Sequence, residues 1–263
     1  MTDLRVTLER DPDDQDCAVP FADGTVAGRP YRFLLDTGAA RTRMIADEYT
    51  TNLCPAGTDS GHAAFGAVTE TIVTVADLSV GPMRAPSLDV TLADGAAAGA
   101  PSLLGMDVIG RYSCHFRFAA GVVGVGARGA GTDELYTGSR GHVYVDVGWP
   151  EAAGVSASAN WDSGAGITIV HEGFWLAHRE LFTDLGTTEG TDASGARVAT
   201  PLVLMSGPVI GRRPFAPHRA AVVDLTAANA TLDRPMDLIL GYPTWSQADW
   251  IFDFPGRTWA LTS

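Results

Sequence analysis

Apolar and polar residues alternate along much of the chain. In LRVTLER, residues 4–10, Leu4, Val6 and Leu8 fall on one face of an extended segment, as a half-buried strand requires. ETIVTVADLSV (70–80) and HVYVDVG (142–148) alternate in the same way. YRFLLD (31–36) and VSASANWD (155–162) are two more predicted strands, and each runs into an aspartate. Helical spacing is clearest in EGFWLAHRELFTDL, residues 172–185, where Phe174, Ala177, Leu181 and Leu185 can share a face. ADEYTTNL (46–53) predicts a shorter helix. Thirty glycines and fifteen prolines, spread through the sequence, supply the turns of an all-β fold with a few short helices.

The pattern occurs twice. A shift of 126 positions sets FLLDTGAA (33–40) on ANWDSGAG (159–166), pairing Asp36 with Asp162, Thr37 with Ser163, Gly38 with Gly164 and Ala39 with Ala165. Further along, Thr42 meets Thr168 and Tyr49 meets Trp175. A second match, at a shift of 136, sets SLLGMDVIGRYSCHFRF (102–118) on LILGYPTWSQADWIFDF (238–254). Gly105 then meets Gly241, Phe116 meets Phe252 and Phe118 meets Phe254. Two matches in the same order, with ten residues inserted between them in the second copy, predict two related lobes. The expected division is 1–127 for the first lobe, 128–141 for a Gly-rich linker and 142–263 for the second.

A single carboxylate at the end of an apolar strand is usually a turn residue or a cap. Two that meet have a chemical use. Carboxylates about 3 Å apart resist ionising together, so the pair holds one proton over a broad pH range. The ionised member can draw a proton from a water lying between them, while the protonated one hydrogen-bonds a substrate carbonyl. Thr37 and Ser163 offer small hydroxyls for bonds between the lobes, and Gly38 and Gly164 allow a tight turn with an N–H beside each carboxylate. The segments around Gly105 and Gly241 suit strands threading close to those loops.

On these residues the sequence resembles the aspartic proteases. LLDTGA and NWDSGA are similar to their catalytic loops, and LLGMDVI and LILGYPTW to their later apolar-Gly strand. Lobe length and the Ala after each Gly resemble the retropepsins, whereas two copies in one chain resemble a compact pepsin. The resemblance implies a bilobal acid-protease fold and an aspartic endopeptidase with Asp36 and Asp162 as its catalytic pair. Thr37, Gly38, Ala39, Ser163, Gly164 and Ala165 become the supporting loop residues. The flap that covers the cleft falls in SGHAAFGAVTE (60–70), with a second one in EGTDASGARV (189–198), which makes Phe65, Gly66, Ser194 and Gly195 candidate substrate contacts. No tyrosine, the pepsin flap residue, occurs in the first of these segments. Trp161, before Asp162, stands where the first lobe has Leu35 and is expected to shape one side of the cleft. Alanine at 39 and 165 cannot donate a hydroxyl to either carboxylate, which predicts a less acidic pH optimum than Ser or Thr there would give.

A formal charge of −13 argues against nucleic acid or an anionic membrane as partner. The expected partner is a peptide or unfolded protein, bound by a monomer without metal or organic cofactor. No apolar run approaches the ~18 residues that span a bilayer, and MTDLRVTLERDPDDQD has no secretory apolar core. With three cysteines at no metal-like spacing, these features predict a cytoplasmic protein. GVGARG (124–129) matches a dinucleotide-binding fingerprint but lacks the helix that must follow, so it reads as a turn. His171 and His178 read as helix-surface residues, and Asp11, Asp13, Asp14 and Asp16 as a solvated loop. The rival to catalysis is a pepsin-like module that binds peptides or a partner protein without cutting them.

Overall fold

The structure is a computed structural model, and it describes residues 1–12, 14–62, 67–93, 101–126, 131–191 and 197–262. Strands build three sheets among these residues. An eight-stranded sheet draws on the first half of the chain, from Thr7–Arg10 to Ser102–Leu104. A ten-stranded sheet draws on the second half and runs in sequence from Tyr136–Thr137 to Leu238–Leu240. A six-stranded sheet joins the two halves: Ser113–Arg117 pairs with Asp249–Asp253 at its centre, and Thr2–Arg5 and Asp133–Glu134 form its edges.

The same pairing recurs in both halves. Arg29–Leu35 lies parallel to Ser102–Leu104, as Val155–Trp161 lies parallel to Leu238–Leu240. Arg43–Ile45 runs parallel to Met83–Ala93 and antiparallel to Ser102–Leu104. Thr168–His171 likewise runs parallel to His218–Val223 and antiparallel to Leu238–Leu240. Each aspartate therefore leaves the sheet at the same point of a parallel pair, with neighbouring strands buried on both faces.

A continuous core runs beneath both halves. Its largest fully buried members are Trp161, Trp245, Trp250, Phe33, Phe116 and Phe252, most of them at the junction with the six-stranded sheet. Trp161 meets Phe116 and Phe252 at centroid distances of 4.9 and 4.7 Å. Such aromatic packing adds to the large area each ring buries.

Three expectations are corrected. LRVTLER is two strands, Thr2–Arg5 and Thr7–Arg10, which enter different sheets. The break comes at Val6, whose N–H donates to Gly121 O at 2.9 Å. The helix over 172–185 stops at Ala177, followed by a 3-10 turn at Arg179–Leu181 and the strand Phe182–Thr191. His178 departs from helical geometry (φ −133, ψ 47), and pairing of Phe182–Thr191 with Arg197–Met205 outweighs the local helical spacing. Of the shorter predicted helix, only a 3-10 turn at Thr50–Asn52 forms. The expected linker also carries short strands at Asp133–Glu134 and Tyr136–Thr137.

Candidate active site

The two Asp-Thr/Ser-Gly loops face each other across the junction of the halves. Leu104 O receives the Asp36 N–H at 3.0 Å, and Leu240 O receives that of Asp162 at 3.1 Å, so each aspartate is anchored to the strand beside it. Carboxylate orientation is set within the loops. Asp36 Oδ1 accepts from the N–H groups of Gly38 and Ala39, both at 2.9 Å, and Asp162 Oδ1 accepts from Gly164 N–H at 2.8 Å.

Four hydrogen bonds tie the loops to one another. Thr37 Oγ1 donates to Trp161 O at 2.9 Å and accepts from Ser163 N–H at 3.0 Å. Ser163 Oγ donates to Leu35 O at 2.7 Å and accepts from Thr37 N–H at 3.2 Å. Both hydroxyl residues are wholly buried, so every one of these bonds lies away from water. Glycine is required where the carboxyls cross: a Cβ on Gly38 would land on the Asp162 carboxylate, and one on Gly164 on that of Asp36.

The later apolar-Gly segments brace the loops from below. Gly105 N–H donates to Thr42 Oγ1 at 3.1 Å and Gly241 N–H to Thr168 Oγ1 at 3.2 Å. Met106 N–H reaches Ala39 O, and Tyr242 N–H reaches Ala165 O. A side chain at Gly105 would strike the backbone of Arg41, and one at Gly241 that of Ile167. The eight residues Asp36, Thr37, Gly38, Ala39, Asp162, Ser163, Gly164 and Ala165 are thus brought together at one place. Phe65, Gly66, Ser194 and Gly195 lie outside the described residues.

Electrostatics at this place are dominated by burial. Both carboxyls open onto a cleft but are surrounded by protein on their other sides. That desolvation pushes Asp36 well above the usual carboxylate range, with the neighbouring Asp162 charge adding to it against the Ala39 and Gly38 amides. Asp162 is also pushed up by burial, against the Gly164 amide and a hydrogen bond with Asp36. Shared between them, one proton belongs to the pair rather than to either residue.

The cleft encloses about 470 Å³, and its two walls differ. On the first half, the pairs Arg43–Glu70 (2.7 Å) and Arg41–Asp59 (3.3 Å) line it. On the second, Ile167, Ile169, Val223, Leu232, Met236 and Ile239 give an apolar surface. Asn160 and His142 also line this side, and no motif in the sequence marks them. Asn160 could have been found by alternation, since a residue two before Asp162 shares its face. Trp161 is a correction for the same reason: it points away from the cleft into the core and is fully buried.

No group of three or more His, Cys, Asp or Glu placed to hold a metal ion occurs among the described residues. His171 Nδ1 accepts from Leu225 N–H at 3.1 Å, and Asp14 and Asp16 pair with Arg219.

Residues 22–111 match the sequence model of the gag-polyprotein putative aspartyl protease family. The crystal structure of an aspartic proteinase from Irpex lacteus superimposes with a TM-score of 0.61 at 14% identity, covering 99% of this chain and 96% of that one. At that identity the likeness speaks for the fold. No curated protein sequence matches the chain. The chain is mostly β and shares the bilobal fold of that aspartic proteinase.

Proposed function

We propose that the protein is an aspartic endopeptidase in which Asp36 and Asp162 activate a water for attack on a peptide bond. The observation that carries this reading is the placement of two half-buried carboxyls in contact, each held by loop amides and each lying on the glycine of the opposite loop. Keeping two carboxyls in such a site is costly unless their proton-sharing is used. The ionised carboxylate takes a proton from the water, and the protonated one donates to the substrate carbonyl as the tetrahedral diol forms. Proton transfer to the amide nitrogen then lets the C–N bond break. No covalent intermediate is needed.

The four hydrogen bonds between the loops support this role by fixing the carboxyls before substrate arrives. An extended peptide fits the cleft between the walls, with main-chain bonds for affinity and side-chain pockets for selectivity. Both halves of the site come from one chain, which favours a monomer. Cys17, Cys54 and Cys114 are unpaired, in keeping with a reducing compartment such as the cytoplasm.

The test is cleavage of a peptide library by purified protein from pH 3 to pH 8, beside Asp36→Asn and Asp162→Asn. Cleavage abolished by either substitution supports the dyad. A folded protein that cuts nothing at any pH would replace this reading with that of a binding module.

A further inference from the structure

The two halves differ in the side chains they set next to their aspartates. Phe21 pairs with Leu34 in the first half, and Tyr144 pairs with Asn160 at the matching place in the second. Two residues before each partner stand Val19 and His142. Val19 and Leu34 of the first half are therefore replaced by His142 and Asn160 in the second. Antiparallel register sets His142 diagonally across from Asn160, about 7–8 Å between Cα atoms, on the face that carries Asp162.

Both replacements bring polar atoms that have no hydrogen-bond partner among the described residues. Asn160 is 2% exposed, and its Oδ1 has no hydrogen-bond partner among the described residues. Nδ1 of His142 is buried and has none either. Both residues line the cleft. Buried polar atoms are normally paired, and leaving one unpaired is expensive. Two such atoms, on residues that line a binding cleft where the other half of the molecule has Val and Leu at the corresponding places, point to a ligand that completes them.

The surroundings narrow its chemistry. Asn160 pairs with Ile239, and the row continues through Ile169 and Ala221, so an aliphatic stem has an apolar surface to lie on. The unpaired Asn160 Oδ1 calls for a donor on the ligand. Charge is not selected by the cleft, because Arg140 and the acids Asp36, Asp59, Glu70 and Asp162 all line it. A group with both a donor and an acceptor, on a short aliphatic stem, meets the two unpaired atoms. Building on the endopeptidase reading, we propose that Asn160 and His142 form a polar specificity pocket beside Asp162 that takes a carboxamide side chain, glutamine before asparagine. The carboxamide N–H donates to Asn160 Oδ1, and its oxygen accepts from the imidazole N–H.

The probes are peptides with a reduced, uncleavable central bond and Gln, Leu, Glu or Lys placed on either side of it. Their binding is measured by calorimetry with the wild-type chain, Asn160→Leu and His142→Val, which install the residues of the first half. Wild type is expected to bind the best Gln peptide about tenfold or more tighter than its Leu counterpart. Asn160→Leu is expected to abolish or reverse that ratio, and His142→Val to reduce it. A ratio unmoved by Asn160→Leu, a wild-type preference for Leu, Glu or Lys, or no binding of any peptide would overturn the pocket. Turnover of the same sequences with an ordinary peptide bond separates the two readings. Selective binding without turnover sinks the endopeptidase and leaves the pocket; turnover without selectivity does the reverse.

Discussion

Thr37→Val is the cleanest perturbation of the junction between the halves, because it keeps the shape of a wholly buried side chain and deletes only its hydroxyl. Two bonds are lost, the donation to Trp161 O and the acceptance from Ser163 N–H. Each leaves a buried backbone group without its partner, at about 1–3 kcal/mol apiece. Partial relaxation of the loops brings the expected total to roughly 2–4 kcal/mol. Ser163→Ala removes the reciprocal pair, to Leu35 O and from Thr37 N–H, and is expected to cost a similar amount. The two changes should not add. Once one hydroxyl is gone the loops can part, so the double variant is expected to fall short of the sum by about 0.5 kcal/mol or more. Urea unfolding followed by tryptophan fluorescence measures all three, since Trp161, Trp245 and Trp250 are fully buried at this junction. Single-variant costs below about 0.5 kcal/mol, or strict additivity, would refute the claim that these four bonds hold the loops together.

Other consequences concern the dyad. Burial raises both carboxyl pKa values above those of the unfolded chain, so the pair stabilises the fold most below the ordinary carboxylate range and loses that contribution as pH rises. Asp36→Asn is therefore expected to raise the melting temperature at pH 7 relative to wild type, with the gain shrinking toward pH 4; a gain that grows on acidification contradicts the raised pKa. Gly38→Ala places a methyl group against Asp162 and is expected to lower kcat/KM about 100-fold with the fold retained, as judged by circular dichroism. The pH profile of kcat/KM is expected to peak above the range of free carboxylates, because Ala39 and Ala165 offer the dyad no hydroxyl. A maximum near pH 2–3 would argue against that (roughly, below the free carboxylate values).

What was legible in the sequence was whatever depends on local spacing. The strands entering Asp36 and Asp162 and the glycine segments at 105 and 241 were all readable, since alternation and close approach dictate residue type on the spot. Over 172–185 the spacing is helical, while the pairing that claims residues 182–191 comes from Arg197–Met205, beyond any local window. LRVTLER looked like one strand because its alternation is unbroken; the switch between sheets at Val6 depends on Gly121, far along the chain. Position beside Asp162 alone suggests that Trp161 borders the cleft. Strand alternation, applied one residue further, sends it into the core and brings Asn160 to the surface of the site.

The loop geometry and the walls of the cleft answer to different constraints. Each loop must accept the other's carboxyl on its glycine and the other's backbone on its hydroxyl, so a change in one half demands a matching change in the other. The walls are under no such demand. Arg43 and Glu70 pair within the first half, whereas Ile169, Val223 and Ile239 pack within the second. A peptide placed between them would meet ion pairs on one side and an apolar sheet ending in Asn160 on the other. A homodimer, with one wall used twice, must offer both ends of a peptide the same surface. One chain carrying both halves escapes that symmetry, and the replacement of Val19 and Leu34 by His142 and Asn160 falls where such freedom would affect binding while leaving the loop-to-loop bonds intact.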